Sequence, residues 1–507
     1  MTKVRHELLL GIDIGTASSK GVLADPDGTV VAVAERPHGL SMPRPGWAEH
    51  DADAVWWADV VALCRELVDR VGGDRIAGVC VSGLGPCVLP TDAENRALRP
   101  AILYGIDTRA TVEIDELHDR FGADAVIARG GSLLSTQATG PKLAWLARNE
   151  PDVWARTRRM HMASSLAVAR LTGEYVLDHH SASQSDPLYD LDAADWARDW
   201  AAEIAPDVEL PRLAWPGERV GTVHAAGAAE TGLPVGTPVA AGTIDAWSEA
   251  FSVGARHPGD LMLMYGSTFF FVLTAEAVRR DAALWATAGV EPGTFSLAGG
   301  MATSGSLTGW LRELVGSPSW EELVGEVAAT PPGARGLLVL PHFAGERTPI
   351  MDPDARGTIA GLTLRHGRAD LARAVYEATA YGVRHNITAL TRAAGEPPRR
   401  LVAVGGGTKS AVWPQIVSDV TGATQVVPEV TVGAAYGDAL LAAIAAGIVP
   451  ASTDWTRVSH EVAPDEALAP VYDELFGLYL DLYERTAPVS HALAHRQREE
   501  EKEATHG

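Results

Sequence analysis

The sequence predicts an α/β fold in two related halves, and three patterns lead to that prediction. A strand, a turn rich in glycine and hydroxyls, and a second strand open the chain over Leu8–Leu23. The same arrangement returns at Leu261–Leu273. Helical periodicity follows in each half, with one long helix predicted over 369–394. Each half is therefore expected to supply one such turn to a shared cleft, with the boundary near residue 255.

Length and composition limit the classes of protein to consider. With 507 residues the chain is too long for one hydrophobic core. The formal net charge of −23 argues against nucleic acid or an anionic membrane as a partner, because both require clustered Lys and Arg. Three cysteines without metal-ligand spacing indicate reduced thiols. Residues 1–6 lack a signal-peptide pattern and no apolar run is long enough for a membrane span, so a cytoplasmic location is expected.

The opening turn has the composition of a phosphate site. Its backbone N–H groups can converge on an anion, and Thr16, Ser18 and Lys20 add donors. Asp13 closes the first strand, where it could hold a hydrated Mg²⁺. From these residues alone, an ordinary polar hairpin turn is an equal alternative. The stretch from Gly15 to Lys20 also lacks the second glycine of a P-loop.

Other ligand candidates follow predicted strands, where α/β sheets bind their ligands. One such loop is Ser82–Pro86. In a second loop, Asp107 and Arg109 are equally well explained as a structural ion pair. Asp245 follows an apolar strand and precedes a helix, so it is either a reactive carboxylate or a helix N-cap. The run Gly405–Gly407 leaves room for a flat ring or a phosphate against the backbone.

Together these segments resemble the FGGY carbohydrate kinases of the actin, Hsp70 and hexokinase superfamily, over roughly residues 8–450. The most specific part is Gly357–Leu362, then seven residues, then Asp370–Glu377, which is similar to the whole C-terminal signature of that family. Thr139–Leu146 is similar to the N-terminal signature, but the chain departs from it at Gln137, where an aromatic or small residue is usual. Gly345–Pro349 also looks like a family landmark.

The resemblance implies ATP-dependent phosphorylation of a sugar or polyol in a central cleft between two RNase-H-like (actin-like ATPase) domains. It implies a sugar-binding N-terminal domain at 1–255, an ATP-binding C-terminal domain at 256–455, and helices with a charged tail at 456–507. Asp245 falls at the catalytic base and Asp13 at the metal ligand. The remaining positions are, for ATP, Gly15, Thr16, Ser18, Lys20, Gly266, Ser267, Thr268, Gly305, Gly406, Gly407 and Ser410, and for substrate, Gly83, Leu84, Gly85, Tyr104, Asp107 and Asp245.

Two segments of the N-terminal half look most like those of xylulokinases. The similar segments are Gly46–Asp51 with Trp56–Trp57, and Leu98–Leu103. D-xylulose is therefore the first expectation for the substrate. ATP and Mg²⁺ are the expected cofactors, and a homodimer is only the tendency of the family.

The substrate loop itself departs from that pattern. Leu84–Pro86 stands where xylulokinases carry Gln-Met-His, and Ala246 follows Asp245 where an amide is common. Tyr104–Arg109 is one residue longer than the similar family segment. A site built to bind a hydroxyl discriminates strongly by it, so these changes favour a different acceptor as the alternative. The alternatives are ribulose, L-xylulose, a tetritol, glycerol and an aldonate.

Two other classes share the fold. One is a sugar-binding regulator that has lost catalysis, against which the intact Asp13, Asp245 and hydroxyl-rich turns argue. The other is an Hsp70-like or actin-like ATPase. The complete C-terminal signature argues against that class, as does the lack of a separate peptide-binding domain.

Overall fold

A computed structural model describes residues 7–506, and the side chains of residues 7–500. The prediction that the chain lacks a signal-peptide pattern concerns residues 1–6, which lie outside the described residues. The chain forms two compact units: unit 1 is Met1–Pro258, Thr274–Ser296 and Val432–Thr456, and unit 2 is Gly259–Leu273, Leu297–Thr431 and Arg457–Gly507. The N-terminal domain expected from the sequence was the continuous stretch 1–255. Unit 1 also contains Thr274–Ser296 and Val432–Thr456, which lie beyond that stretch.

Both units contain strands and helices. Over the described residues the strands are β1 Leu8–Ile14, β2 Ser18–Ala24, β3 Val30–Pro37, β4 Glu49–His50, β5 Ile76–Gly83, β6 Leu89–Thr91, β7 Ala101–Ile102, β8 Arg159–His161, β9 Val176–Asp178, β10 Tyr189–Asp190, β11 Asp195–Trp196, β12 Arg212–Ala214, β13 Arg219–Thr222, β14 Pro238–Ala240, β15 Asp260–Tyr265, β16 Phe269–Ala275, β17 Trp285–Ala288, β18 Phe295–Gly300, β19 Leu338–Leu340, β20 Thr358–Ala360, β21 Arg400–Val404, β22 Gln425–Pro428 and β23 Val458–Val462. The α-helices are α1 Ala58–Val71, α2 Thr111–Phe121, α3 Ala123–Gly130, α4 Thr139–Asn149, α5 Pro151–Trp154, α6 Ala163–Thr172, α7 His179–Ser183, α8 Arg198–Ile204, α9 Ala225–Thr231, α10 Asp245–Ser252, α11 Gly305–Leu314, α12 Trp320–Ala329, α13 Arg368–Ala394, α14 Val412–Thr421, α15 Ala434–Ala445 and α16 Ala469–His506.

The main sheet of unit 1 has the order β13-β14-β5-β1-β2-β3. Strand β2 is antiparallel to β1 and β3, whereas β5 is parallel to β1 and β14. Strand β1 is almost wholly apolar because both faces of the sheet are covered. Helix α15 packs on it so closely that a Cβ at Gly11 would lie 1.9 Å from the Ala435 carbonyl oxygen.

The main sheet of unit 2 repeats this arrangement. Its strands follow the order β18-β16-β15-β21-β22-β23. Strand β16 is antiparallel to β15, and β21 is parallel to both β15 and β22. The predicted recurrence of the opening strand–turn–strand unit is therefore confirmed, and it forms the centre of each sheet.

The long helix of unit 2 also follows the sequence prediction. Helix α13 spans Arg368–Ala394, and it ends at Gly395, which has a φ of 86°. This left-handed conformation suits glycine because a side chain there would be strained. Within residues 7–506, no helix is both long enough and apolar enough to cross a membrane.

Candidate active site

The turn between β1 and β2 is closed and then supported from neighbouring elements of unit 1. The Gly15 amide donates to the Ser18 carbonyl oxygen at 3.0 Å. The Thr16 hydroxyl lies 2.8 Å from the Tyr104 hydroxyl. Tyr104 comes from the predicted substrate segment, so this hydrogen bond joins that segment to the predicted phosphate turn. The Ser18 hydroxyl donates to Glu35 at 3.0 Å.

Asp13 lies in a group of carboxylates at the end of β1. It stands opposite Lys20 in the β1–β2 ladder. Its Oδ1 is shielded from solvent and has no hydrogen-bond partner among the described residues. Burial raises the pKa of Asp13 well above its usual value, and the charges of Asp245, Asp438 and Glu249 raise it further, while Lys20 opposes them. A cation bound beside these carboxylates would stabilise their ionised forms.

Asp245 is the first residue of α10 and is only partly buried. The N-cap position belongs to Ile244, so the N-cap alternative for Asp245 does not hold. Its Oδ1 accepts a hydrogen bond from the Ala246 amide at 2.7 Å. Burial raises the pKa of Asp245 to about 6. A carboxylate with a raised pKa is a stronger base than an ordinary one, so it is better suited to accept a proton.

Lys20 is the cation nearest to this group in the β1–β2 ladder. Its ammonium donates to the Val432 carbonyl oxygen at 3.1 Å. That hydrogen bond orients the side chain beside the loop that precedes α15. The positive charge of Lys20 also lowers the pKa values of Asp13 and Glu249 and so favours their ionised forms.

Two carboxylates near Asp13 were not singled out from the sequence. Glu249 lies one helical turn after Asp245, and burial with the charge of Asp245 raises the pKa of Glu249 to about 7. Asp438, on α15, accepts hydrogen bonds from the hydroxyls of Ser82 at 2.6 Å and Ser248 at 2.8 Å. The i, i+4 spacing from Asp245 was a usable signal for Glu249. No local pattern marks Asp438.

The predicted substrate loop offers backbone and apolar surface. Gly83 ends β5, and the Leu84 amide donates to the Ile14 carbonyl oxygen at 2.7 Å. The Leu84 side chain is buried. A Cβ at Gly85 would lie 2.8 Å from the Ile244 side chain. The three residues therefore follow β1 closely and present no polar side chain to a sugar.

Asp107 is buried, and its carboxylate is already bonded on both oxygens. Oδ1 accepts from Arg109 Nε at 2.9 Å, and Oδ2 accepts from the Ala48 amide and Arg109 Nη2, each at 2.7 Å. The Arg109 guanidinium also lies 3.9 Å from the centre of the Trp47 ring and 2.8 Å from Glu49. This geometry favours the structural ion pair for Asp107, and its direct contact with substrate stays a prediction.

The second hydroxyl-rich turn lies in unit 2. The Gly266 amide donates to the Thr268 carbonyl oxygen at 3.1 Å. Helix α11 begins against this turn, with Gly305 N donating to Gly266 O at 3.1 Å and Ser304 N donating to Ser267 O at 3.0 Å. A Cβ at Gly305 would lie 2.5 Å from Gly266 O, so the contact requires glycine.

The triple glycine follows β21 in unit 2. Gly405 has a φ of 93°, and a Cβ there would lie 2.5 Å from the Tyr265 carbonyl oxygen. A Cβ at Gly407 would meet the Tyr265 side chain at 2.9 Å. Gly406 is exposed, and the Ser410 amide donates to the Gly407 carbonyl oxygen at 3.2 Å. Packing on Tyr265 thus accounts for two of the glycines, while the adenine role of Gly406, Gly407 and Ser410 stays a prediction.

Comparison with protein-family models decides the family. Residues 8–252 match the N-terminal domain of the FGGY family of carbohydrate kinases, and residues 261–446 match its C-terminal domain. The chain belongs to this family. The sequence-based recognition is therefore confirmed.

Relatives and solved structures agree with this assignment. The chain is 30% identical to a xylulose kinase of Escherichia coli (strain K12) over 446 residues, which are 87% of this chain and 90% of that protein. It is 30% identical to a glycerol kinase of Nocardia farcinica (strain IFM 10152) over 498 residues, 91% of this chain and 98% of that protein. The crystal structure of xylulose kinase from Rhodospirillum rubrum has a TM-score of 0.88 and 34% identity, and the match covers 96% of this chain and 100% of that one.

Membership of the FGGY family confirms the fold and reaction class predicted from the sequence. This FGGY kinase has the two-domain actin-like ATPase fold of its structural neighbours, and it is an enzyme that phosphorylates a sugar with ATP. Phosphoryl transfer requires mainly positioning and charge neutralisation from the protein. The donors of the β1–β2 turn and the partly buried carboxylates of unit 1 suit both tasks.

The surroundings of Asp13 fit a hydrated Mg²⁺. The unpartnered Asp13 Oδ1 is an oxygen ligand of the kind that Mg²⁺ prefers. The neighbouring carboxylates of Asp245, Asp438 and Glu249 act on Asp13 electrostatically, and Asp13 Oδ1 still has no hydrogen-bond partner among the described residues. Within the described part of the chain, no group of three or more His, Cys, Asp or Glu could hold a metal by itself. A site with few protein ligands suits Mg²⁺, because this ion keeps several of its waters.

Proposed function

We propose that this FGGY kinase phosphorylates a hydroxyl of a ketopentose such as D-xylulose, with Asp245 as the general base. The observation that carries the proposal is Asp245 itself, a partly buried carboxylate with a pKa of about 6 at the start of α10. Relatives named xylulose kinase support the choice of sugar. In this role Asp245 takes the proton from the substrate hydroxyl as the hydroxyl oxygen bonds to the γ-phosphorus of ATP. The bond from that phosphorus to the β–γ bridging oxygen breaks, and ADP leaves.

The other predicted residues bind and orient the two substrates. In this proposal Gly15 closes the turn through its amide, Thr16 and Ser18 offer hydroxyl donors to phosphate oxygens, and Lys20 neutralises the phosphate charge. The turn Gly266–Thr268 of unit 2 supplies further donors. Gly305 keeps that turn in place through its amide contact. These roles need only hydrogen-bond donors that are fixed before the reaction, which is how proteins stabilise charge that develops on phosphates.

We assign Mg²⁺ to Asp13, where it would neutralise the phosphate charge of ATP. Asp13→Asn keeps the size of the side chain and removes its charge. We expect the Mg²⁺ concentration for half-maximal activity to rise at least about tenfold, since hard cations prefer charged oxygen ligands. Titration of activity with MgCl₂ at a fixed ATP concentration measures this. An unchanged midpoint would remove Asp13 from the metal site.

A short polyol such as glycerol is the second candidate acceptor. In the predicted substrate loop, the Leu84 side chain is buried, and Ile244 leaves no space for a side chain at Gly85. Neither residue therefore offers a polar side chain to additional sugar hydroxyls. Glycerol kinases are also among the relatives that are 30% identical. A smaller acceptor with fewer hydroxyls would require fewer of those contacts.

A coupled assay of ADP release separates these acceptors. Pentuloses, hexuloses, glycerol, tetritols and aldonates are each titrated at saturating Mg-ATP. We expect D-xylulose to give the highest kcat/KM. A higher value for glycerol or a tetritol would replace the ketopentose proposal with the polyol one. ADP release that is independent of every acceptor would contradict both.

We further propose a cytoplasmic enzyme without nucleic-acid or membrane partners. The formal net charge of −23 supports this, because polyanionic surfaces would repel the chain. A homodimer is the tendency of the family. Size-exclusion chromatography with light scattering tests it, and the monomer mass of 53.5 kDa would contradict it.

A further inference from the structure

The peptide groups around Gly105 are held by two consecutive residues of another loop in unit 1. The Gly105 amide donates to Gln137 Oε1 at 3.0 Å. The Thr136 hydroxyl donates to the Gly105 carbonyl oxygen at 2.9 Å. The sequence gives two separate departures from the family pattern, the longer Tyr104–Arg109 segment and the glutamine at 137. In the structure these two departures contact each other.

The contact is also a steric fit. A Cβ at Gly105 would lie 2.9 Å from both Cδ and Nε2 of Gln137. The side-chain amide therefore fills the space that a residue larger than glycine would need. The Gln137 backbone is fixed in turn, because its amide donates to the Ser135 hydroxyl at 3.2 Å. Gln137 and Gly105 are thus matched in both hydrogen bonding and volume.

The contact between Gly105 and Gln137 lies next to Tyr104, whose side chain joins the predicted substrate segment to the predicted phosphate turn. Tyr104 precedes Gly105, and its hydroxyl lies 2.8 Å from Thr16 Oγ1 in the first phosphate turn. The Tyr104 carbonyl oxygen accepts from the Asp107 amide at 2.9 Å, which closes a tight turn around Gly105. The position of Gly105 consequently fixes the position of Tyr104.

We propose that Gln137 is a positioning residue that sets acceptor specificity by holding Gly105, and through it Tyr104, against the phosphate turn. The proposal rests on the proposed function in one respect, the assignment of Tyr104 to the acceptor site. Gln137 acts through the backbone of a neighbouring loop. Its effect is therefore on acceptor binding and selectivity more than on the chemical step.

Two substitutions at 137 separate its hydrogen bond from its volume. Gln137→Glu keeps an oxygen acceptor for the Gly105 amide, whereas Gln137→Met keeps the length and removes the acceptor. We expect Gln137→Met to raise KM for the preferred acceptor about threefold to tenfold, the range for one lost hydrogen bond, with KM for ATP changed by less than about twofold. Gln137→Glu should restore most of the acceptor KM. Equal acceptor KM values in wild type and Gln137→Met would overturn the proposal.

A double-mutant cycle tests the steric fit. Gly105→Ala should raise the acceptor KM in the wild-type background, because its Cβ meets the Gln137 amide. In a Gln137→Gly background the same alanine should have little further effect, since the space is empty. Additive effects of the two substitutions would contradict the contact. Gln497→Met on α16 is a matched control for Gln137→Met, because the Oε1 of the exposed Gln497 also accepts one hydrogen bond, from Arg356 Nε at 2.8 Å, and it should leave both KM values unchanged.

A stability readout distinguishes failure of this inference from failure of the proposed function. Urea unfolding of the same four proteins reports the coupling between positions 105 and 137 whichever acceptor is used. If D-xylulose is not the preferred acceptor, only the choice of sugar fails, and the cycle is repeated with the best acceptor of the panel. Positions 105 and 137 could be coupled in the free energy of unfolding while acceptor KM and the order of acceptors stay unchanged. That result would make Gln137 a structural residue and overturn its role in specificity.

Discussion

The His38 ring lies between the Gly15 carbonyl oxygen and the Asp59 carboxylate, 3.0 Å from the first and 2.8 Å from the second. A carbonyl oxygen only accepts hydrogen bonds, so Nε2 of His38 carries a proton. The His38 backbone amide also donates to the Ala17 carbonyl oxygen at 2.9 Å. His38 therefore holds both ends of the first predicted phosphate turn, with its main chain at one end and its ring at the other.

Removing that ring donor should weaken ATP binding. His38→Phe keeps a ring and removes both nitrogen atoms, so the Gly15 carbonyl loses its partner. We expect KM for ATP to rise about threefold to tenfold at saturating acceptor, as for the loss of one hydrogen bond. His38→Gln retains an N–H donor and should lie closer to wild type. If His38→Phe leaves KM for ATP unchanged, the ring does not position the turn.

Asp245→Asn should slow transfer severely without preventing ATP binding. The asparagine keeps the shape and the contact with the Ala246 amide, but it cannot take a proton from the acceptor. General-base catalysis is typically worth ~10² to 10⁴ in rate, so kcat should fall by a factor in that range. Isothermal titration should give an ATP affinity close to wild type. Turnover within tenfold of wild type would exclude Asp245 as the base.

Gly305→Ala should disturb the second predicted phosphate turn, and Gly309→Ala is its control in the same helix. The alanine Cβ at 305 would lie 2.5 Å from the Gly266 carbonyl oxygen. A Cβ at 309 would have no described atom within 4 Å apart from those of its chain neighbours and its own helix backbone. We expect a higher KM for ATP from the first variant and an unchanged KM from the second, with slightly greater stability because alanine favours helix. Equal ATP kinetics for the two variants would contradict the role of Gly305.

Asp438 should make the protein less stable as pH rises. Burial raises the pKa of Asp438 from its ordinary 3.8 to about 7. Between these values the folded state keeps a proton that the unfolded state releases. The stability that this proton supplies is complete below pH 4 and is lost as pH rises through 7, by up to about 1.4 kcal/mol per pH unit.

Asp438→Asn removes this ionisation while retaining a polar side chain for Ser82 and Ser248. The free energy of unfolding of this variant, relative to wild type, should increase from pH 5 to pH 7.5 by about 1 to 3 kcal/mol. Urea unfolding at the two pH values, without Mg²⁺, measures it. Asp119→Asn on the exposed face of α2 is the control and should show no such gain. A pH-independent difference between Asp438→Asn and wild type would refute the prediction.

Much of the fold was readable from short-range patterns. The hairpins at Leu8–Leu23 and Leu261–Leu273 and the helix over 369–394 were found because alternation, turn residues and helical periodicity are local properties. The same is true of Asp245, whose position between an apolar strand and a helix is visible in the sequence. Its assignment as the catalytic base, however, came from the resemblance to a family and stays a prediction.

Relations between distant segments were not readable in this way. The sequence marked Gln137 and the longer Tyr104–Arg109 segment as separate anomalies, and only their proximity shows that one holds the other. Asp107 and Arg109 left two interpretations open, and the saturated hydrogen bonds of the carboxylate now favour the ion pair. The Gln137–Gly105 contact and the Asp107–Arg109 ion pair are both defined by hydrogen bonds that exist only in the folded chain.

The sequence by itself determined the family, the two hydroxyl-rich turns and the identity of the candidate base. Tertiary structure decided which carboxylates surround Asp13. Asp438 lies more than four hundred residues from Asp13 in the chain, yet its charge acts on the same group because α15 packs against β1. The physical reason is that propensity and periodicity act over a few residues, whereas burial and Coulomb interactions depend on distance in space, which only the folded chain defines.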